Sequence, residues 1–286
     1  MTTLVFTKRN LMLFFRDRAA VFFSLLTIFI AISIYAFFTR NLMMEGSEGR
    51  EGVQQLADLW AMSGIVSIMP VTTTMGAFAV MISDRYTKVF KDFYTSPVSR
   101  ASLTGGYILS ALVIGFLLTV VGLVIVTVIM TIMGISIPIA NYFLALGAIL
   151  LTTFAAASMM LFVTSLIESQ RAYSSAATLI GTFVGFLTGV YMPVGLFPEA
   201  VRIIIAIFPI SHASSLMRQI FMQDAINTTF ERAPASIVDN YRLDMGVFYE
   251  IGGLQTNAKF SVAVLAATAA VFFALSLIRL SRKRRN

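Results

Sequence analysis

The chain has 286 residues, of which 58% are hydrophobic and 12% charged, against about 25% charged in soluble domains. It has 21 Lys and Arg against 14 Asp and Glu, no cysteine and one histidine, which excludes disulfides and thiol metal sites and leaves no basis for a His cluster or triad. Ala101 to Ile167 are 67 uncharged residues in a row, far more than one helix can place in a hydrocarbon core of about 30 Å, so the chain is expected to be an all-α integral membrane protein.

In chain order, residues 1–18 form an amphipathic stretch in which Lys8 and Arg9 interrupt apolar positions at near-helical spacing, which suits a helix lying in the membrane interface. It is not a signal peptide, because the apolar stretch after it is too long and no small-residue cleavage site follows. Charge-free windows then place transmembrane helices at 19–39 and 59–83, two more in the long run at 104–133 and 142–167, a fifth at 172–192 and a sixth at 260–279. The break inside the long run falls at Gly134 to Asn141, where Gly, Pro and Asn cluster. The uncharged stretch Ile203–Met217 is too short to cross and contains Pro209, so residues 193–221 are read as a re-entrant hairpin, with 222–259 as an outer loop.

Six crossings put both termini on one side of the membrane. That side carries 14 Lys and Arg against 4 Asp and Glu, the opposite side 7 against 10, and the positive-inside rule therefore puts both termini in the cytoplasm of a bacterial-type cell membrane. Basic residues that flank membrane helices meet anionic headgroups, so nucleic acid is not an expected partner and membrane lipid is.

The loop 84–100 carries a short amphipathic helix over 84–95, with Phe93 and Tyr94 on an apolar side and Lys88, Lys91 and Asp92 on a polar one. Ser96-Pro97 ends it and Ser99 is placed to cap the next helix. The loop 168–171 holds Glu168 and Arg171. In the fifth span Gly181, Gly185 and Gly189 recur every four residues, a stripe that suits close helix approach, either within one subunit or between two. The spans hold no ionisable side chain, which argues against a proton or sodium carrier. Ser63, Ser67 and Thr74 share one side of the second span and are candidates for a substrate path, although hydroxyls inside a helix equally bond its own carbonyls.

The loop resembles the coupling-helix region of ABC-2-type permeases, the membrane subunits of type V ATP-binding-cassette exporters. The resemblance rests on Asp84-Arg85, Phe93-Tyr94 and Ser96-Pro97-Val98-Ser99-Arg100, while Lys88-Val89 stand where that family favours Gly-Thr and Lys91 stands at its usual Glu. A second match runs from Gly189 through Met192-Pro193, Phe197-Pro198 and Phe208-Pro209 to Arg218, the order seen in that family's outer re-entrant hairpin.

The resemblance implies several expectations. Asp84, Arg85, Lys88, Lys91, Asp92, Phe93, Tyr94, Ser96 and Pro97 would meet the ATPase, with Glu168 and Arg171 as a second contact. Gly181, Gly185 and Gly189 would lie at a dimer interface, and Met192, Pro193 and Phe197 at an outer gate. No phosphate-binding loop of the Gly-x-x-x-x-Gly-Lys-Ser/Thr type is present, so this chain is expected to bind no cofactor and catalyse nothing by itself. ATP and Mg would sit on a separate ABC ATPase subunit, present in two copies beside two permease subunits, alike or different. The expected cargo is a hydrophobic or amphiphilic compound such as a drug, an antimicrobial peptide or a lipid-like molecule. Export of a polysaccharide or glycolipid is the alternative, followed by an ATP-independent carrier.

Overall fold

A computed structural model describes residues 2–44, 52–87, 89 and 99–282 of the chain. The order of elements is α1 (Thr2–Arg16), α2 (Arg18–Ile34) continuing through a π-helical turn (Tyr35–Thr39) into α3 (Arg40–Met44), then α4 (Val53–Tyr86), α5 (Arg100–Ile132) and α6 (Ile139–Leu166). They are followed by α7 (Gln170–Leu187), a 3₁₀ turn (Val194–Leu196), α8 (Glu199–Ile207), α9 (Ser211–Thr229), α10 (Ala235–Asp244), the antiparallel pair β1 (Glu250–Ile251) and β2 (Leu254–Gln255), and α11 (Ala258–Arg282).

Among these residues five helices are long and apolar enough to cross a membrane: α2 with its π turn, α4, α5, α6 and α11. The count becomes six if α8 and α9, bent by 86° at Pro209, form one broken span; the same geometry suits a re-entrant loop. α7 falls outside that set. It has 18 residues, about 27 Å of helix, and its first turns carry Gln170, Arg171, Ser174 and Ser175. The helix expected at 172–192 stops at Leu187 because Gly189 takes φ +62°. The Val190 N–H then donates to the Gly185 carbonyl and the Gly189 N–H to the Phe186 carbonyl, both at 3.0 Å, the paired bonds of a Schellman ending. Other bounds also shift. The second span is extended at both ends to 34 residues, and the helix after Pro209 runs on to Thr229.

α4 is the axis of the bundle. It packs against α2, α5, α6, α7 and α9, and nearly every residue from Leu56 to Val71 is buried. Lipid supplies no hydrophobic force between helices, so close approach rests on small side chains and satisfied polar groups. A Cβ at Gly115 of α5 would lie 2.6 Å from a Thr74 methyl and 3.0 Å from a Thr153 methyl, which marks the point where α4, α5 and α6 meet. Pro70 leaves one carbonyl of α4 without its helical donor. Around it the hydroxyls turn back on the helix: Thr73 donates to the Met69 carbonyl at 2.7 Å and Thr74 to that of Pro70 at 2.6 Å.

Because of that three-helix contact, Gly115→Val is expected to destabilise the fold by about 1–3 kcal/mol through overpacking. Gly147→Ala, on α6 where a Cβ meets nothing within 4 Å, is expected to be neutral or to stabilise by up to about 1 kcal/mol. Thermal unfolding in detergent, followed by the fluorescence of Trp60, the chain's single tryptophan, measures both.

Candidate functional site

Two buried carboxylates on α4 organise the two ends of the bundle. Asp84 is 6% exposed and meets α1 and α5. Arg9 approaches it with both terminal nitrogens, Nη1 donating to Oδ2 at 2.6 Å and Nη2 to Oδ1 at 2.9 Å, and the Tyr107 hydroxyl donates to Oδ2 at 2.6 Å. A two-pronged guanidinium contact fixes geometry as well as charge. The Asp84 hydrogen bond raises the pKa of Arg9 against the effect of burial, so the guanidinium stays charged. Thr7 and Asn10 of α1 are buried beside it, while Leu4, Val5, Met12 and Phe15 point outward. Arg85, next in sequence, donates to the carbonyls of Thr164 at 3.0 Å and Ile167 at 3.3 Å, where cationic groups suit the end of α6.

The second carboxylate, Asp58, is 2% exposed and sits near the start of α4. Tyr35 donates its hydroxyl to Oδ1 at 2.6 Å, and Arg40 donates from Nε to the same oxygen at 3.2 Å and from Nη2 to Oδ2 at 3.5 Å. Asp58 and Asp84 are 26 residues apart, about 39 Å along a straight helix, close to the full thickness of a bilayer with its headgroups.

Along α4 from Asp58 toward the middle of the bundle, beside Trp60 and Gly64, lies Arg218 of α9, which is fully buried. Its guanidinium donates to the Gly189 carbonyl at 2.6 Å and the Gly246 carbonyl at 3.4 Å and lies 4.9 Å from the Trp60 ring. Trp60 donates to the Met245 carbonyl at 2.8 Å, and Ser215 and Gln219 donate to that of Val247. α4, the end of α7, α9 and the segment 245–249 are thus stitched together. His212 lies between the Ala206 carbonyl, 3.0 Å from Nε2, and the Ser261 hydroxyl, 3.3 Å from Nδ1.

Several residues singled out in the sequence sit differently from the expectation. Asp84 and Arg85 are engaged inside the chain, because burial at a helix end demands partners, so they offer the ATPase little free charge. Lys88, Lys91, Asp92, Phe93, Tyr94, Ser96 and Pro97 lie outside the described residues. Glu168 and Arg171 are exposed. Arg171 lines a recess of about 810 Å³ with Tyr86, Ser169, Gln170, Ser174 and Ser175.

The glycine stripe does not continue as one surface. Gly181 faces open space, Gly185 is covered by the Tyr191 ring, and Gly189 is the helix-ending glycine beside Val194 and Arg218. Ser63, Ser67 and Thr74 line no open path in this conformation. Each is at most 1% exposed and donates to its own helix, to the carbonyls of Leu59, Gly64 and Pro70. Pro193 is buried, and Met192 and Phe197 are half-buried, Phe197 against Val194, Ile205, Ala206 and Tyr249.

Arg9, Tyr107, Tyr35, Arg40 and Asp58 were not read as site residues. Their one signal in the sequence is an acidic residue inside the end of an apolar run, and their partners lie up to 75 positions away.

The sequence profile of the family described as ABC-2 family transporter protein matches residues 39–278. No curated protein matches the chain.

Asp84→Asn is expected to cost about 2 kcal/mol, since it weakens a hydrogen-bonded charge pair, and Tyr107→Phe about 1 kcal/mol. The double variant is expected to lose less than the sum, because both changes act on one carboxylate. Unfolding midpoints of the four proteins give the coupling; strict additivity would mean that Asp84 and Tyr107 do not act as a unit.

Proposed function

The chain belongs to the ABC-2 transporter family, and we propose that it is the permease subunit of an ATP-driven exporter of hydrophobic or amphiphilic compounds. Members of this family are membrane components without an ATPase domain of their own and normally work with an ABC ATPase subunit. The observation that carries the coupling part of the proposal is the anchorage of the loop after α4. Asp84 joins α4 to α1 and α5, and Arg85 joins it to α6, immediately before residues 88–98. A push on that loop from a docked ATPase is delivered to four helices at once, through charge-assisted bonds rather than through one flexible connection.

In this reading both termini are cytoplasmic, α1 lies in the inner interface with Leu4, Val5, Met12 and Phe15 toward lipid, and the ATPase meets Phe93 and Tyr94. Glu168 and Arg171, the latter lining the neighbouring recess, supply a second contact. α7 is the fifth, shortened crossing and α8–α9 the re-entrant hairpin behind it. Two permease copies approach through α2 and the Gly181 side of α7, where a Cβ would meet nothing within 4 Å. The cargo moves between the copies, and Met192, Pro193 and Phe197 close the outer end. An uncharged wall favours apolar cargo, because no ionised group has to be desolvated along it. The hydroxyls of Ser63, Ser67 and Thr74 reach the path only if α4 rotates or bends around Pro70 during the cycle.

Phe93→Asp or Tyr94→Asp, which put a charge into an apolar groove, are expected to abolish copurification of the ATPase while membrane insertion is unchanged. Normal copurification in both variants would remove this loop as the docking element.

Cysteine at Gly181 is expected to form an intersubunit disulfide, easily read in a chain with no native cysteine, whereas cysteine at Gly185, under Tyr191, is expected to form none. Crosslinking at Gly185 with none at Gly181 would place the copies on different faces.

A further inference from the structure

The outer carboxylate is held by a turn of unusual geometry. Between Tyr35 and Thr39 the helix of the first span is π-helical, and the Arg40 N–H donates to the Tyr35 carbonyl, five residues back. Such turns are rare and usually occur singly inside α-helices, often at functional sites. Here the turn has a specific consequence. On an α-helix residues five apart point about 140° away from each other. The i→i+5 bond instead places residue 40 over residue 35, and both side chains reach the one carboxylate of Asp58. Tyr35 and Thr39 are each 4% exposed while Phe37 and Phe38 are 73% and 68% exposed, so the inward side of the turn is polar and the outward side apolar. Thr39 also donates to the Tyr191 carbonyl at 3.0 Å, in the segment that follows α7.

We propose that the turn Tyr35–Thr39 is an α/π switch that makes and breaks the Arg40–Asp58 contact, latching the outer end of the first span to α4 when π-helical and releasing it when α-helical. Reverting to α geometry would rotate everything after Thr39 by about 100° relative to everything before Tyr35, one residue's share of a turn. That carries Arg40 off Asp58 while Tyr35 stays bonded. The outer latch is built to release more readily than the inner one. Its guanidinium contacts are 3.2 and 3.5 Å long, against 2.6 and 2.9 Å at Asp84, and Arg40 is carried on the turn itself. Pinned at one end and latched at the other, α4 has its loosened stretch at Pro70 between the two. The device stands apart from the identity of the cargo and from where an ATPase docks.

The test uses the full chain in lipid nanodiscs, with spin labels on cysteines placed at Asn41 and Lys259, both exposed. Deleting Phe37 removes the extra residue of the turn, so that an ordinary α-helix already places Arg40 one turn after Tyr35; it is expected to hold the wild-type distance alone, with none of the second distance that the released, α-helical state of the full-length turn gives. Asp58→Asn removes the charge that rewards π geometry. It is expected to raise the population at that second distance about tenfold over wild type, the size expected for loss of one charge-assisted hydrogen bond. Should the deletion not fold, Asp58→Asn and Arg40→Gln carry the test without it. Wild-type distance distributions in Asp58→Asn and Arg40→Gln, or a second distance in the Phe37 deletion, would overturn the proposal.

Discussion

A charge taken out of water must be met by hydrogen bonds or by another charge, and α4 carries two carboxylates that are met by both. Asp58 and Asp84 are each answered by an arginine and a tyrosine from other helices. Because a lone buried carboxylate would cost several kcal/mol, the partners are obligatory, and with them the positions of α1, α2 and α5 around α4 are set. The placement of α1 against α5 and the π turn in the first span both bring partners to these two groups. Their separation along α4 matches a bilayer with its headgroups, which lets the charges stay near water while the stretch between them stays apolar.

The middle of α4 is governed by the opposite economy. There, hydroxyls are satisfied by carbonyls of their own helix. Ser63, Ser67, Thr73 and Thr74 return their hydrogens to carbonyls of the same helix around Pro70. These hydroxyls therefore need no charged partner on another helix, and Gly115 can bring α5 into contact. A helix with firm ends and a soft centre suits a moving part: displacement at one end is transmitted as bending rather than lost in unfolding. Arg218 plays a related part in the half of the bundle near Asp58, where its guanidinium caps the turn after α7 and holds the segment around Gly246 through backbone carbonyls rather than through a carboxylate.

How much of this was legible in the sequence depends on the range of the interaction. Membrane burial, the helical class and the break at Gly134 follow from charge-free runs and local turn chemistry, and the ABC-2 family could be named from two motifs. The Gly181, Gly185, Gly189 stripe misled, because periodicity assumes that the helix continues, and a glycine at the right phase is also the residue that ends a helix with φ above zero. Asp84 and Arg85 were expected to face an ATPase, and the charge pattern gave no sign that both are bonded inside the chain.

The sequence by itself determined that the chain crosses a membrane, which family it belongs to and that charge gathers at the edges of its apolar runs, since composition and short-range periodicity act within a few residues. Only the tertiary structure decided which charges are spent inside the fold. The partners of Asp84 are Arg9 and Tyr107, 75 and 23 positions away, and those of Asp58 are brought together by a π turn that no propensity announces. Pairing of this kind arises from the requirement that buried charge be neutralised across helices, and it is fixed when the helices pack, not when they form.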